Sequence, residues 1–162
     1  MTTTKSSCKF FLTIFIILCS TQLHAQEWNQ MVDKQLVIIS STKDYATAKK
    51  IAQEASKKMK VNLSIDWLKP NKKTGLTFSE TNCEEYGYPC YIARGEGYAD
   101  TTRLITIEYS TAYEGFAKGY YIVVAGVGPP ESPSVKSILT LARKYYKDAY
   151  VKTTKVWYGC MH

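Results

Sequence analysis

The chain has 162 residues, 45% of them hydrophobic, and carries a formal net charge of +7. Its lysines are spread along the sequence rather than clustered, which argues against a nucleic-acid footprint. The charge favours a general attraction to anionic partners such as wall polymers, membrane surfaces or acidic proteins.

Residues 1–25 have the pattern of a secretory signal. Lys5 and Lys9 form a positively charged region, and an apolar run interrupted by a single threonine follows at 10–18. This run is shorter than the about 20 apolar residues needed to span a bilayer. We expect cleavage after Ala25 and export to the periplasm or the medium. One domain with a net charge of +5 then remains over residues 26–162.

Two alternatives stay open for this N-terminal segment. The first is a retained membrane anchor. The second is a lipoprotein processed at Cys19, although Leu18 stands where lipoprotein signals have a small residue. A membrane is therefore expected as a partner only if Cys19 is lipidated.

A first strand–helix–strand unit is predicted at the start of the exported chain. An apolar strand at 36–40 leads into a helix whose apolar positions recur at spacings of three and four. Asp44 or Thr42 is placed to cap the N-terminus of this helix. The return strand at 61–67 alternates, and the side chains on its apolar face are Val61, Leu63, Ile65 and Trp67.

An insert at about 69–118 contains two cysteines that bracket a turn-rich stretch. We expect a local disulfide between Cys83 and Cys90, because an exported chain folds in an oxidising compartment. Cys160 is the odd cysteine, and it either stays free, pairs between chains or replaces one of these two.

The insert is also rich in tyrosine, and its rings have two interpretations. In the first interpretation, the rings complete a small core that includes a further strand at 103–109, with Ile105, Ile107 and Tyr109 pointing inward. Alternatively, they form a recognition surface for a partner. The residues expected to contact a partner are Tyr88, Tyr91, Arg94 and Tyr98.

A second strand–loop–helix unit begins at 121–126, and its glycine-containing loop raises the question of a phosphate site. Two prolines without N–H donors follow Gly128, and the third glycine position of a dinucleotide fingerprint is Glu131. The loop is therefore a connection, and we expect no nucleotide. Ser132 and Pro133 mark the start of the helix that follows.

A last strand at 149–157 completes a repeat of the first unit. The predicted fold is α+β, a ferredoxin-like double β-α-β repeat with one antiparallel sheet and two helices on one face. Its four strands are 36–40, 61–67, 121–126 and 149–157.

Catalytic chemistry has few candidates in this sequence. His162 is the one histidine of residues 26–162, which argues against histidine-dependent nucleophiles and most transition-metal sites. We expect no enzyme, no cofactor and no metal. The acidic residues of the insert are interpreted as solvated side chains: Glu84, Glu85, Glu96, Asp100, Glu108 and Glu114.

The stretch 120–151, an aromatic-led strand followed by a glycine, a loop, a helix and a return strand, resembles half of a sporulation-related repeat (SPOR) domain. Residues 34–58 resemble the other half more loosely, so the resemblance covers about half of the exported chain. The family binds glycan strands of peptidoglycan on the sheet face away from the helices. The resemblance implies glycan binding by outward strand residues, among them Tyr121, Val123, Tyr150 and Trp157.

A second hypothesis belongs to a different class of function. The exported chain is then a protein-binding module, such as a periplasmic inhibitor or immunity protein, whose tyrosine-rich insert contacts an envelope protein. An aromatic patch on the insert, away from the sheet face, would favour this hypothesis. An open sheet face lined by Tyr, Trp and Lys would favour glycan binding. A purely structural envelope subunit is a third alternative.

Overall fold

The structure is a computed structural model that describes residues 30–65, 68–91, 93–94 and 103–158. The predicted signal and the residues Trp67, Tyr98 and Cys160 lie outside these ranges. Within them, no helix has the length and apolar character needed to cross a membrane. The elements are β1 (Gln30–Thr42), α1 (Tyr45–Met59), β2 (Leu63–Ser64), β3 (Lys69–Asn71), β4 (Gly75–Thr77), β5 (Ile105–Tyr109), β6 (Tyr121–Gly128), α2 (Pro133–Arg143) and β7 (Tyr150–Tyr158).

The helices begin where the sequence places their caps. The Asp44 side chain accepts hydrogen bonds from the backbone N–H (2.8 Å) and the hydroxyl (2.6 Å) of Thr47. Ser132 caps α2 by accepting from the N–H of Val135, and Pro133 follows in the first turn. Both helices bury their apolar stripe against the same face of the sheet, and the buried residues are Ala48, Ala52, Ala55, Met59, Val135, Ile138 and Ala142.

The main sheet has five strands in the order β2-β5-β6-β1-β7, and a separate hairpin is formed by β3 and β4. The α+β class is confirmed, whereas the prediction of an all-antiparallel sheet is wrong, because β2 pairs with β5 in parallel. The insert supplies β5, which buries Ile105 and Ile107 under the helices. This strand lies between β2 and β6, and β2 is reduced to two paired residues.

The second face of the sheet is covered by the insert. Tyr113 and Ala93 pack there against a buried apolar set from three strands, and Phe116 and Tyr120 lie at the margin of this cluster. The strand residues of this cluster are Leu36, Ile38, Ile122, Val124, Val127 and Val156. The middle of the sheet is therefore buried on both sides, which explains why all eight residues of β6 are buried.

Candidate binding surface

The four residues expected to bind glycan do not lie together. Tyr121 and Val123 are buried on the helix side of β6, so the expectation that they line the opposite face is wrong. Tyr150 and Trp157 are seven positions apart on β7, which pairs with β1 without a bulge, and they consequently point to opposite faces. Of the four, Tyr150 lies on the face away from the helices, where 42% of it is exposed.

The four residues expected to bind a partner also have different roles. Tyr88 is exposed, whereas the hydroxyl of Tyr91 donates to the carbonyl of Thr74 at 2.7 Å. The guanidinium of Arg94 donates to the carbonyl of Leu104 (2.9 Å) and to the Thr106 hydroxyl (3.0 Å). Tyr91 and Arg94 thus hold the insert in place. Tyr98 lies outside the described residues.

The insert forms a compact unit that we call the hairpin–disulfide surface, made of the β3–β4 hairpin (69–77) and the loop 78–91. The predicted disulfide between Cys83 and Cys90 is confirmed. The carbonyl of Cys90 accepts from the Thr77 hydroxyl at 2.7 Å and from the Phe78 N–H at 3.4 Å. The loop is therefore fixed to the hairpin by both covalent and hydrogen bonds.

A cleft of about 450 Å³ opens between the hairpin and the loop. Tyr86 and Tyr88, on the loop that bounds the cleft, are 65% and 41% exposed, which places two large rings in solvent. Hydroxyl, amide, ammonium and aromatic groups all line it, a set that suits binding through hydrogen bonds and ring contacts. The lining residues are Leu68, Lys69, Pro70, Asn71, Thr77, Phe78, Ser79, Asn82 and Tyr88.

The hairpin side of this cleft is not among the sites expected from the sequence. The Asn71 side chain accepts from the N–H groups of Lys73 (2.8 Å) and Thr74 (3.4 Å), and Gly75 has a positive φ of 72°. Asn favours turns because its side chain accepts from the backbone two residues on, and Gly favours them because it adopts positive φ without strain. The stretch "NKKTG" at 71–75 could therefore have located the hairpin.

The charges of the hairpin–disulfide surface are separated. The hairpin carries exposed lysines and the loop carries exposed glutamates, and of these charged residues Lys69 lines the cleft. The exposed charged residues are Lys69, Lys72 and Lys73 on the hairpin, and Glu80, Glu84 and Glu85 on the loop. Glu84 and Glu85, interpreted from sequence as solvated, are indeed exposed.

A row of four tyrosine rings joins this surface to the core. The ring centroids of Tyr91 and Tyr109 lie 5.6 Å apart with the rings tilted by 30°. The centroids of Tyr109 and Tyr121 lie 5.3 Å apart. Tyr121 meets Tyr45 of α1 edge-on, with centroids 5.4 Å apart. Burial raises the pKa values of the Tyr91 and Tyr121 hydroxyls. Such pairs favour one relative placement of insert, sheet and helix.

A buried polar cluster lies beneath the insert, where β5 meets Arg94. Glu108 is 2% exposed, and its Oε1 accepts no hydrogen bond within the described residues. The hydroxyl of Tyr113 accepts a hydrogen bond from the backbone N–H of Arg94 at 2.9 Å. Burial raises the pKa of Glu108, while the Arg94 charge and hydrogen bonds from Thr106 and Tyr113 oppose this rise. Burial likewise raises the pKa of Tyr113, with the Glu108 charge adding to the effect.

The interpretation of Glu108 as a solvated acid is therefore wrong. Its side chain is enclosed because β5 is a central strand with the insert folded over its second face, which the sequence pattern did not reveal. Glu114 is exposed as expected, and Glu96 and Asp100 lie outside the described residues. Within residues 30–65, 68–91, 93–94 and 103–158, no three His, Cys, Asp or Glu side chains are grouped to hold a metal ion.

Comparison with protein-family models, with curated proteins and with solved structures finds no significant match for this chain.

Proposed function

We propose that the chain is an exported, non-enzymatic binding protein that engages a protein partner through its hairpin–disulfide surface. The observation that carries the proposal is the exposure of Tyr86 and Tyr88 on a disulfide-closed loop beside a cleft of about 450 Å³. Isolated exposed rings are common, but two exposed rings on one disulfide-closed loop, of which Tyr88 lines a cleft, are typical of an interaction site.

Rigidity supports this assignment. The disulfide, the hydrogen bonds to Cys90 and the ring contact of Tyr91 with Tyr109 hold the loop before any partner arrives. A surface that is already ordered loses less conformational entropy on binding, so more of the contact energy appears as affinity. Tyrosine suits this role, since it adds a large contact area and a polar tip while having few rotatable bonds.

The separated charges favour a partner segment with charges of both signs. Acidic groups of the partner would face Lys69, Lys72 and Lys73, and basic groups would face Glu80, Glu84 and Glu85. Such complementarity sets orientation and speeds association more than it adds affinity. It also predicts that the association rate falls as ionic strength rises.

Glycan binding of the SPOR type is the second candidate, and it also stays a proposal. Its support is local to β7, where Tyr150 is exposed on the face away from the helices and Lys152 Nζ lies 4.4 Å from the Phe116 ring centre. A glycan site there would lie beside the covering insert, at the outer margin of this face. Tyr121 and Val123 would not take part in it.

We further propose that the architecture is a ferredoxin-like double β-α-β repeat with one added strand. The order β7-β1-β6 matches three adjacent strands of that fold, and β2 would be the fourth strand, displaced by β5. The Cys83–Cys90 disulfide is compatible with an oxidising location, and export through cleavage after Ala25 is part of the proposal.

One experiment with two arms tests both candidates, using residues 26–162, which contain every described element. The chain is incubated with an envelope and culture-medium extract of the source organism, and separately with purified sacculi with or without amidase treatment. We compare the wild type with Y86A/Y88A, with Y150A, and with Y145A as the matched control, since Tyr145 is 48% exposed outside the hairpin–disulfide surface.

We expect a protein that is retained by the wild type, Y150A and Y145A but lost with Y86A/Y88A. The identified partner is then purified, and the affinity difference is measured directly by calorimetry. Equal retention by all four chains would contradict the assignment of the site. Binding to amidase-treated sacculi that is lost in Y150A and survives moderate salt would establish the glycan candidate instead.

A further inference from the structure

Within the residues that the structure describes, the outer strand β7 has a strand neighbour on one side only. All nine of its residues pair with β1, from Gln30 opposite Tyr158 to Ile38 opposite Tyr150. On its other side, no strand of the described segments pairs with it. The outward-facing N–H and C=O groups of an edge strand can pair with another strand.

The middle of β7 is accessible to solvent, since Thr153 and Lys155 are exposed. A shallow concavity of about 280 Å³ is lined by Thr153, Thr154 and Lys155 of β7, by Asp33 of β1, and by Glu114 and Gly115 of the insert. Successive residues of a strand point to opposite faces, so residues from both faces line the same concavity. The concavity therefore borders the middle of β7, near Thr154, where β1 and the insert also line it.

The sequence of β7 is compatible with pairing to itself. In an antiparallel pair, opposed residues point to the same face. Residues on one face of a strand are an even number of positions apart. When β7 pairs with β7 of a second copy, each residue therefore opposes a residue an even number of positions from its own. Centring the pair on Lys152 or Lys155 would place lysine against lysine, which is unfavourable. Centring it on Thr154 pairs the whole strand and sets Lys152 opposite Val156 and Lys155 opposite Thr153.

The same register pairs apolar side chains at both ends. Tyr150 opposes Tyr158 on the face away from the helices, and Val151 opposes Trp157 on the helix side. Each lysine charge is meanwhile engaged within its own chain. Lys152 Nζ lies 4.4 Å from the Phe116 ring centre, and Lys155 Nζ lies 3.6 Å from Asp33 Oδ1.

We propose that two copies of this chain associate through β7, antiparallel and centred on Thr154. The two-fold axis is perpendicular to the sheet, so the two five-stranded sheets join into one and the helices of both copies lie on the same side. The hairpin–disulfide surfaces stay outside the interface, because they belong to the other end of each sheet. The dimer therefore presents two copies of any partner site.

A pair of charge variants at one exposed position tests this arrangement. In the dimer, each residue 153 faces Lys155 of the second copy, so T153K creates two like-charge pairs and T153E creates two opposite-charge pairs. We measure dimer dissociation of residues 26–162 by sedimentation equilibrium. Every chain carries C160S, so that a thiol at that position cannot link two copies.

We expect a reversible dimer that T153K weakens and T153E tightens, each roughly 2- to 20-fold. T140K and T140E are the matched controls, since Thr140 is an exposed threonine on α2, away from β7, and they should leave dissociation unchanged. A chain that stays monomeric up to the highest attainable concentration would overturn the proposal. So would Thr153 variants that behave like the Thr140 variants.

Discussion

Gly75 lies against the ring of Tyr109, and this contact fixes the hairpin to the central sheet. A Cβ at position 75 would fall within the Tyr109 ring, and the backbone there has a φ of 72°. Only glycine meets both conditions, since it has no side chain and adopts positive φ without strain. The cleft wall formed by the hairpin therefore depends on a contact between residues 34 positions apart.

The first prediction compares G75A with G87A. Both glycines have positive φ, but a Cβ at Gly87 has no heavy atom within 4 Å. Each substitution adds about 1–2 kcal/mol of backbone strain. G75A must also displace the Tyr109 ring, so we expect a further loss of about 1–3 kcal/mol. Chemical denaturation of residues 26–162 gives both unfolding free energies, and equal values would show that the hairpin does not rest on Tyr109.

The second prediction concerns pH and the buried carboxyl of Glu108. Its pKa is raised above 4.5 in the folded chain, so folding favours the protonated form. The contribution of Glu108 protonation to the free energy of unfolding is complete below the pKa of this group in the unfolded chain. It is lost as the pH rises through the pKa of the group in the folded chain. We expect the stability of the wild type relative to E108Q to fall steadily as the pH is raised from about 4.5. Urea denaturation at a series of pH values measures this difference.

The matched control for that prediction is Glu131, whose pKa shifts in the opposite direction. A hydrogen bond from Lys136 is the main cause of its lowered pKa, and a bond with Gln35 adds to it. Its contribution is therefore present above the unfolded pKa and is lost as pH falls through the folded one. The stability of the wild type relative to E131Q should rise with pH. If the stability of the wild type relative to E108Q and its stability relative to E131Q changed with pH in the same direction, the burial of Glu108 would be contradicted.

Local signals in the sequence predicted the helices but not the site. Asp44, Ser132 and Pro133 act within a single helical turn, so the pattern alone located both helix starts. The contact of Gly75 with Tyr109 depends on residues far apart in sequence. No periodicity reports such a contact, so the sequence predicts an undivided insert where the structure has a hairpin.

The sheet shows the same limit of sequence patterns. β6 is buried on both faces, so its apolar run does not indicate which set of side chains meets the helices. The expectation that Tyr121 and Val123 face away from the helices is wrong for this reason. The alternation of Val61, Leu63 and Ile65 correctly indicated burial for Val61 and Ile65. It could not indicate that β5 would take the place beside β6.

The third prediction tests the hydroxyl that links the insert to β5. Tyr113 is fully buried, and its hydroxyl accepts from the Arg94 N–H at 2.9 Å and interacts with Glu108. Y113F keeps the ring and leaves these buried groups without their partner, so we expect a loss of about 1–3 kcal/mol. Y145F removes a hydroxyl from a ring that is 48% exposed and should change the unfolding free energy little. If both variants unfold alike, the cluster does not stabilise the insert.

The fourth prediction separates the disulfide from the rest of the fold. Cys83 and Cys90 close a short loop, so replacing both by serine should cost about 2–3 kcal/mol, mainly through the unfolded chain. Because β1, β6 and β7 lie in the other sheet, their amide protons should stay protected, while the amide protons at positions 78, 83 and 87 exchange faster. Hydrogen exchange by NMR measures both sets. Loss of protection throughout the main sheet would show that the disulfide loop is part of the core rather than a separately ordered binding surface.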